Sequence, residues 1–341
     1  MSRTQLVGTL FGLVALGAST AQSESSLRYR ALPDFDVILP AEAWRDGNAG
    51  IAIPHRGGAT FATSVDGLSV GIDTDGDGRI DTKKKGASGY AVLKGTRVDG
   101  EAFAYAVRLR LPAAGGSYTY ASSGAMVGSI EGVPVQVIDQ NNNGIFNEVG
   151  IDAMVIGHGS AAGFLSKVVN LRGQLYELDL DATGSVATTR PYAGPTGTID
   201  VRSGLKLLGA LEAVVVSNPT RTISFEVASS SNGVLVPVGE YVFAAGFARK
   251  GGDTARLAAG KMKPIVVEAG ARTAPQWGAP LIAEFGFTRA GEELTVQPNV
   301  AFLGRAGERW HTILPDAKSP KLMFFDKDTD RLLATKRFAG C

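Results

Sequence analysis

The chain has 341 residues, a formal net charge of +1 and an apolar fraction of 44%. That apolar fraction is typical of globular proteins and argues against disorder along the whole chain, and the near-zero charge provides no basic surface for nucleic acid or an acidic membrane. The 44 glycines and 15 prolines favour many turns between short strands over long helices. A chain of this length has room for two or three domains.

The first 21 residues have the pattern of a secretory signal peptide. Arg3 supplies positive charge, residues 6–16 are mostly apolar, and residues 19–21 offer small side chains for cleavage before Gln22. An apolar first strand or an uncleaved anchor is the alternative, although the apolar run is short for a bilayer span. We predict export to the cell envelope or exterior, with no membrane span after signal removal.

The single cysteine of the chain is Cys341, its last residue. An intrachain disulfide is therefore impossible, and a chain of this size can bury enough core to do without one. An intermolecular disulfide is one interpretation of Cys341, and a chance terminal cysteine is the favoured one.

Short segments of alternating apolar and polar residues predict strands throughout the first 205 residues. The clearest of them are residues 68–72, 103–111, 133–138 and 175–180. Residues 190–197 combine two prolines with two glycines, which is the composition of a boundary segment. We therefore predict a β-rich first domain over residues 22–205.

Strand signals follow one another closely after residue 205, with turn signals at roughly the 8–12-residue spacing of a β-sandwich. They include residues 214–216, 222–227, 234–236, 239–243 and 265–267. Residues 274–280 contain two more prolines and have the composition of a second linker. We predict a β-sandwich over residues 206–274 and a sandwich-like module over residues 275–341.

Two loops of related sequence follow predicted strands. The first reads Asp-Thr-Asp-Gly-Asp-Gly-Arg-Ile-Asp at residues 73–81, and the second reads Asp-Gln-Asn-Asn-Asn-Gly-Ile-Phe-Asn at residues 139–147. The approaches match as well, because residues 65–70 resemble residues 130–135. An acidic-Gly turn, a strand and an acidic loop thus occur twice, which indicates an internal duplication.

These loops resemble the Asp-x-Asp-x-Asp-Gly calcium loops of EF-hands, dockerins and thrombospondin type 3 repeats. Calcium prefers six to eight oxygen ligands at about 2.3–2.6 Å, and alternate side chains converge on one ion where a glycine permits a tight turn. Gly78 and Gly144, each sixth in its loop, match that glycine. The resemblance implies Ca²⁺ as the bound ion. Its implied ligands are Asp73, Asp75, Asp77, Arg79 through its carbonyl, and Asp81, and then Asp139, Asn141, Asn143, Ile145 through its carbonyl, and Asn147.

The resemblance departs at position twelve, where an EF-hand places a bidentate Glu and this chain has Lys84 and Gly150. Because both loops follow strands, a calcium loop embedded in β-structure is favoured over a helix–loop–helix. Glu148 or Asp152 could complete the second loop, and the first has no equally obvious donor.

The first loop carries four carboxylates and the second carries one, so we expect the first loop to bind calcium more tightly. The positive charges of Lys83–Lys85 should weaken calcium binding by the first loop somewhat. A metal-free hairpin turn is the alternative for both loops.

Two segments of the second half resemble small β modules. Residues 236–242 contain the Pro-x-Gly-x-Tyr strand entry of transthyretin-like and carboxypeptidase-regulatory-like sandwiches, and residues 321–334 are similar to the terminal hairpin of an immunoglobulin-like domain. Both resemblances imply modules that scaffold or bind, and neither implies enzyme activity. The fold class predicted overall is mainly β, with an N-terminal β-rich domain carrying two calcium-type loops followed by one or two small β-sandwich domains.

No catalytic constellation stands out in the sequence. The histidines are widely separated and lack zinc-ligand spacing, and neither a Gly-x-Ser-x-Gly elbow nor a phosphate-binding glycine loop is present. We predict a secreted, non-catalytic calcium-binding protein with a structural or interaction role and a protein or glycan surface as its partner. The alternatives are an extracytoplasmic hydrolase whose carboxylate site is assembled by folding, and a carbohydrate- or surface-binding module that uses Trp44, Trp277, Trp310 and the tyrosines.

Overall fold

A computed structural model describes residues 22–111, 117–291, 293–311 and 321–337. The predicted signal peptide and Cys341 lie outside the described residues. All regular elements in these ranges are β-strands, and no described residue is helical. Consequently none of the described segments is a helix long and apolar enough to cross a membrane. The predicted mainly β fold class is confirmed.

The first half of the described chain contains fifteen strands. They are β1 (Ser23–Ala31), β2 (Arg45–Asp46), β3 (Thr63–Asp66), β4 (Ser69–Ile72), β5 (Thr82–Lys85), β6 (Ser88–Thr96), β7 (Ala102–Arg110), β8 (Thr119–Ser122), β9 (Gly124–Ile130), β10 (Val133–Ile138), β11 (Ala153–Ile156), β12 (Gly163–Phe164), β13 (Val168–Leu171), β14 (Gln174–Leu180) and β15 (Val186–Pro191).

Three sheets are built from these strands. The largest has the order β12-β11-β10-β9-β1-β15-β14-β13, the second β2-β8-β7-β6 and the third β3-β4-β5. Strand β1 joins the two sides of the largest sheet, because its first residues pair with β15 and its later residues pair with β9. Residues from all three sheets form one buried apolar cluster, which is the core of this half.

In strand β7 the alternation of apolar and polar residues corresponds to a buried face and an exposed face. Val107 and Leu109 are buried, and Arg110 on the opposite face is exposed, as the alternation predicts. Tyr105 also points into the core and is 1% exposed. Arg108 is held beside the sheet, where its guanidinium lies 3.9 Å from the centre of the Phe35 ring.

The two acidic loops occupy equivalent places in two three-stranded meanders. Residues 73–81 connect β4 to β5, and residues 139–152 connect β10 to β11. In each meander a tight turn in the left-handed region joins the first two strands, at Gly67 in one and at Glu131 and Gly132 in the other. The local order is therefore strand, tight turn, strand, acidic loop, strand in both places. The duplication of the segment stays a prediction.

The second half of the described chain contains fifteen further strands. They are β16 (Thr196–Ile199), β17 (Leu205–Lys206), β18 (Ala210–Ser217), β19 (Ser224–Glu226), β20 (Val234–Pro237), β21 (Gly239–Lys250), β22 (Asp253–Ala258), β23 (Ile265–Val267), β24 (Arg272–Thr273), β25 (Trp277–Gly278), β26 (Ile282–Ala290), β27 (Glu293–Leu303), β28 (Arg309–His311), β29 (Lys321–Phe325) and β30 (Leu332–Arg337).

The main sheet of this half has the order β19-β18-β21-β22-β28-β27-β26, with β23 also paired to β21. Small sheets β20-β16-β24 and β17-β25 lie beside it, and β29 and β30 form a separate hairpin. Trp277 and Trp310 are buried in the core together with residues of β18 and β21. Strands from both sides of residue 274 thus share one sheet and one core. The predicted domain boundaries at residues 205 and 274 stay predictions.

A buried carboxylate organises the turn that follows β16. Asp200 is 1% exposed, and its Oδ1 accepts hydrogen bonds from the backbone N–H groups of Arg202 and Ser203 at 3.0 and 3.1 Å. Its Oδ2 accepts a hydrogen bond from Arg272 Nη2 at 2.6 Å. Burial alone would raise the pKa of Asp200, but the hydrogen bonds from Ser203, Arg272 and Arg202 hold it well below the ordinary value.

We expect the substitution Asp200→Asn to lower the free energy of unfolding by roughly 2 kcal/mol at neutral pH, because the charged acceptor is lost. The folded-state pKa is depressed, so the stabilisation by Asp200 is complete above the ordinary carboxyl pKa and is lost as pH falls through the folded value. Urea unfolding measured from pH 7 to pH 2 should show that the difference in unfolding free energy between the wild type and Asp200→Asn decreases as the pH falls. The exposed-turn variant Asp99→Asn is the control, and a pH-independent gap would contradict this assignment.

Candidate metal centre

The first acidic loop is wound around the carboxylate of Asp73. This side chain is 2% exposed, and its Oδ1 accepts hydrogen bonds from the backbone N–H groups of Asp75 at 3.2 Å and Gly76 at 2.7 Å. Its Oδ2 accepts a hydrogen bond from the N–H of Gly78 at 2.9 Å. The loop closes directly beyond the last pair of the β4–β5 ladder, Ile72 with Thr82. The strands therefore fix both ends of a nine-residue loop whose donors converge on one buried carboxylate.

Two glycines allow this winding. Gly76 has φ +78° and Gly78 has φ +86°, which is the left-handed region that residues with a Cβ rarely adopt. The sequence singled out Gly78 for this role, and the structure adds Gly76. Gly76 also packs closely against His55, whose ring is stacked on Phe61 with 4.2 Å between centroids. The loop is thereby attached to the segment that precedes β3.

Three carboxylates of the first loop lie together. One oxygen atom from each of Asp73, Asp75 and Asp81 can be chosen so that all three atoms lie within 4.8 Å of one another. Asp81 Oδ2 also accepts hydrogen bonds from the N–H and hydroxyl of Thr74, at 2.7 and 3.0 Å, and these lower the pKa of Asp81. Carboxylates that lie this close together repel one another when all are ionised. A cation among the three oxygens would reverse that repulsion.

Asp77 and Arg79 lie outside this group of three. The Oδ1 of Asp77 accepts a hydrogen bond from the N–H of Arg79 at 2.8 Å, and both residues are exposed. The ligand roles expected for the Asp77 carboxylate and the Arg79 carbonyl stay predictions. Lys83, expected to weaken the site, pairs with Asp66 at 3.8 Å.

The second loop repeats this arrangement in a more buried setting. Asp139 is fully buried, and its Oδ1 accepts a hydrogen bond from the N–H of Asn142 at 2.6 Å. Its Oδ2 accepts hydrogen bonds from the N–H of Gly144 at 2.6 Å and from the Tyr105 hydroxyl at 2.8 Å. In both loops the first carboxylate thus binds the N–H of the sixth-position glycine. Burial raises the pKa of Asp139 above its ordinary value, although these hydrogen bonds oppose the shift.

Asparagine side chains of the second loop converge on Glu148. The Nδ2 atoms of Asn141 and Asn143 donate to Glu148 Oε2 at 2.9 and 2.6 Å, and the Asn143 Oδ1 accepts the N–H of Ile145 at 2.9 Å. Ile145 is exposed and Asn147 is half-buried. The ligand roles of Asn141, Asn143, Ile145 and Asn147 stay predictions.

Asp152 closes the second loop from its far end. The residue is fully buried, and its Oδ2 accepts a hydrogen bond from the N–H of Glu148 at 2.9 Å. Burial raises the pKa of Asp152 to about 8, and the nearby charges of Asp139 and Glu148 add to the shift. Glu148 and Asp152 are the two residues that sequence reasoning offered to complete this loop, and both face it.

The contacts made by two residues at the second loop could not be predicted from the sequence. Tyr105 comes from β7, 34 residues before Asp139, and no local pattern connects them. Asn142 adopts φ +61°, accepts the N–H of Ser122 at 2.6 Å and donates to the carbonyl of Ala43 at 2.9 Å. Asparagine adopts the left-handed conformation more readily than most residues, but nothing in the sequence indicates these partners. Asn142 therefore anchors the loop to β8 and stays outside the set of predicted ligands.

Comparison with protein-family models, with curated proteins and with solved structures finds no match for this chain.

A pair of alanine substitutions tests the packing of the first loop. At Gly78 an added Cβ meets open space, so Gly78→Ala should cost only the backbone strain of a positive φ, about 1 kcal/mol. At Gly76 the added Cβ lies 2.8 Å from His55 Cδ2 and Nε2, so Gly76→Ala should cost about 2 kcal/mol or more. Urea unfolding of both variants in chelator measures the difference. Equal costs would show that His55 yields and that the loop is not clamped at this point.

Proposed function

We propose that this chain is a secreted, non-catalytic calcium-binding protein with a structural or interaction role. The observation that carries the proposal is the group of Asp73, Asp75 and Asp81, each of which offers one oxygen within 4.8 Å of the others at the end of the β4–β5 hairpin. The group consists of carboxylates alone, and such hard oxygen donors suit Ca²⁺ better than the soft or nitrogen-preferring transition metals.

Calcium acts structurally in this proposal. An ion among three carboxylates removes their mutual repulsion and ties the loop to β4 and β5, so the folded chain binds it better than the unfolded chain. A ligand present at about 100 times its Kd stabilises the folded state by about 2.7 kcal/mol. The signal-like first 21 residues support an extracytoplasmic location, where calcium is plentiful, and a protein or glycan surface is the proposed partner.

Two observations favour this role over the alternatives. Asp139 and Asp152 have raised pKa values, as the carboxylates of a hydrolase can have, but both side chains are fully buried. A carbohydrate platform needs exposed rings, whereas Trp277 is 0% exposed and Trp310 is 5% exposed. The Trp44 ring is covered by Arg110, whose guanidinium lies 3.6 Å from its centre.

Thermal unfolding with calcium and with chelator tests the proposal. We expect the wild type to melt several degrees higher in calcium, and Asp75→Asn to lose much of that increment because one of the three clustered carboxylates becomes neutral. Asp99→Asn is the matched control, since it removes the same charge from an exposed turn outside both acidic loops.

Two outcomes of the melting experiment would contradict different parts of the proposal. A wild type that melts at one temperature in both conditions would exclude structural calcium anywhere in the chain. A calcium increment in Asp75→Asn as large as that of the wild type would remove the first loop from the proposal.

A further inference from the structure

The ends of the second loop bring two buried carboxylates to the mouth of one hairpin. Ile138 and Ala153 form the last pair of the β10–β11 ladder. Asp139 directly follows the first of these residues and Asp152 directly precedes the second, so the antiparallel pairing places their backbones side by side. Both side chains are fully buried. The loop between them returns Glu148 to this end, because the N–H of Glu148 donates to Asp152 Oδ2 at 2.9 Å.

The same loop contains an unusual share of unsatisfied oxygens. Within the described ranges, four buried side-chain atoms lack a hydrogen-bond partner, and two of them are Asp152 Oδ1 and Asn141 Oδ1. Asn141 is joined to Glu148 through its Nδ2, and Glu148 is joined to Asp152, so the two unsatisfied oxygens belong to one network. A buried acceptor without a partner costs about 1–3 kcal/mol, and more when it is charged.

The charge of this network has no counter-ion among the described side chains. None of the ion pairs formed by the described residues includes Asp139, Glu148 or Asp152. The backbone of Arg221 packs against Gly150, but its guanidinium is placed over the Phe164 ring at 5.7 Å. Two fully buried carboxylates, the half-buried Glu148 and an amide oxygen therefore share one loop, although the carboxylate oxygens of these three residues do not all lie within 4.8 Å of one another as those of the first loop do. A protein interior accepts the charge of buried carboxylates only with a compensating cation or with proton uptake.

We propose that residues 139–152 form a second calcium site, in which Asp139, Asn141, Glu148 and Asp152 supply the ligands. This proposal rests on the calcium-binding function proposed above, but on different residues. Asp152 takes the place of the twelfth-position Glu that the loop lacks, and it does so from the first residue before β11. The ion satisfies the free oxygens of Asp152 and Asn141 and compensates the charge that no described side chain neutralises.

Calcium at this place would also hold the loop against the core. Asp139 accepts a hydrogen bond from Tyr105 of β7, and Asn142 accepts one from Ser122 at the end of β8. An ion bound to Asp139 therefore stabilises the contact between the β10–β11 hairpin and the sheet that contains β7 and β8. The first loop, at the end of the small β3-β4-β5 sheet, lacks such a link to a core tyrosine.

Calorimetric titration of the chelator-treated chain with Ca²⁺ tests the second site. We expect the wild type to bind at two sites, and Asp152→Asn to lose one of them or to weaken it at least tenfold. Asp75→Asn should retain the site that Asp152→Asn loses. Asp99→Asn removes one negative charge from an exposed turn of the same half and should bind as the wild type does.

The outcomes separate the two calcium proposals. Wild-type binding in Asp152→Asn overturns the second site, and if Asp75→Asn is impaired the first-loop proposal stands. A single site lost only in Asp152→Asn supports the second site and overturns the first. A wild type that binds no calcium overturns both.

A second variant distinguishes loss of the calcium site from a folding defect caused by Asp152→Asn. Asn141→Asp adds a carboxylate beside Glu148 and removes the Nδ2 donor, so its melting temperature in chelator should be below that of the wild type. With calcium, the added ligand should recover or reverse that deficit. The same deficit with and without calcium would show that no ion binds at this loop.

Discussion

A carboxylate buried at the end of a strand is the constraint on which both loops depend. Asp73 and Asp139 each follow the last residue of a strand, and burial of either would be prohibitive without donors. The loops supply those donors from their own backbone, including the N–H of Gly78 or Gly144. Satisfying the carboxylate thus determines the path of the chain, because the next five residues must curl around it. The side chains that this curl turns inward are the candidate ligands.

Both loops contact one segment of the first half. Gly76 of the first loop packs on His55, and an added Cβ at Gly144 of the second would lie 3.3 Å from Ile53. Residues 51–61 therefore lie against both loops, and Ile51, Ile53 and Phe61 belong to the core of the first half. Both loops therefore pack against the same short stretch of core.

The same solution to a buried charge recurs in the second half. Glu308 is fully buried, and its Oε1 accepts hydrogen bonds from the N–H of Gly278 at 2.7 Å and from Trp310 Nε1 at 3.1 Å. Trp277 donates its indole N–H to the carbonyl of Val201 at 2.7 Å. These contacts bring residues from both sides of the proline-rich linker at 274–280 into one core. Both indole N–H groups find partners, as buried tryptophans require.

Local patterns in the sequence located many of the strands and both acidic loops. Alternation located β10 over residues 133–138 and β7 within a residue at each end, since one face of each strand must be buried. The Asp and Gly spacing identified both loops, because a left-handed glycine and a carboxylate acceptor are local requirements. Counting carboxylates within each loop, however, ranked the first loop ahead. That count omitted Glu148 and Asp152, whose approach depends on the hairpin register.

Only the tertiary structure decided which oxygens meet. It placed Asp81 with Asp73 and Asp75, left Asp77 outside the group, and brought Tyr105 to Asp139 from another sheet. These relations depend on how sheets pack, and packing couples residues that no short pattern connects. The fold class and the candidate loops are thus local consequences of the chain, whereas the composition of each candidate metal centre is a consequence of the whole fold.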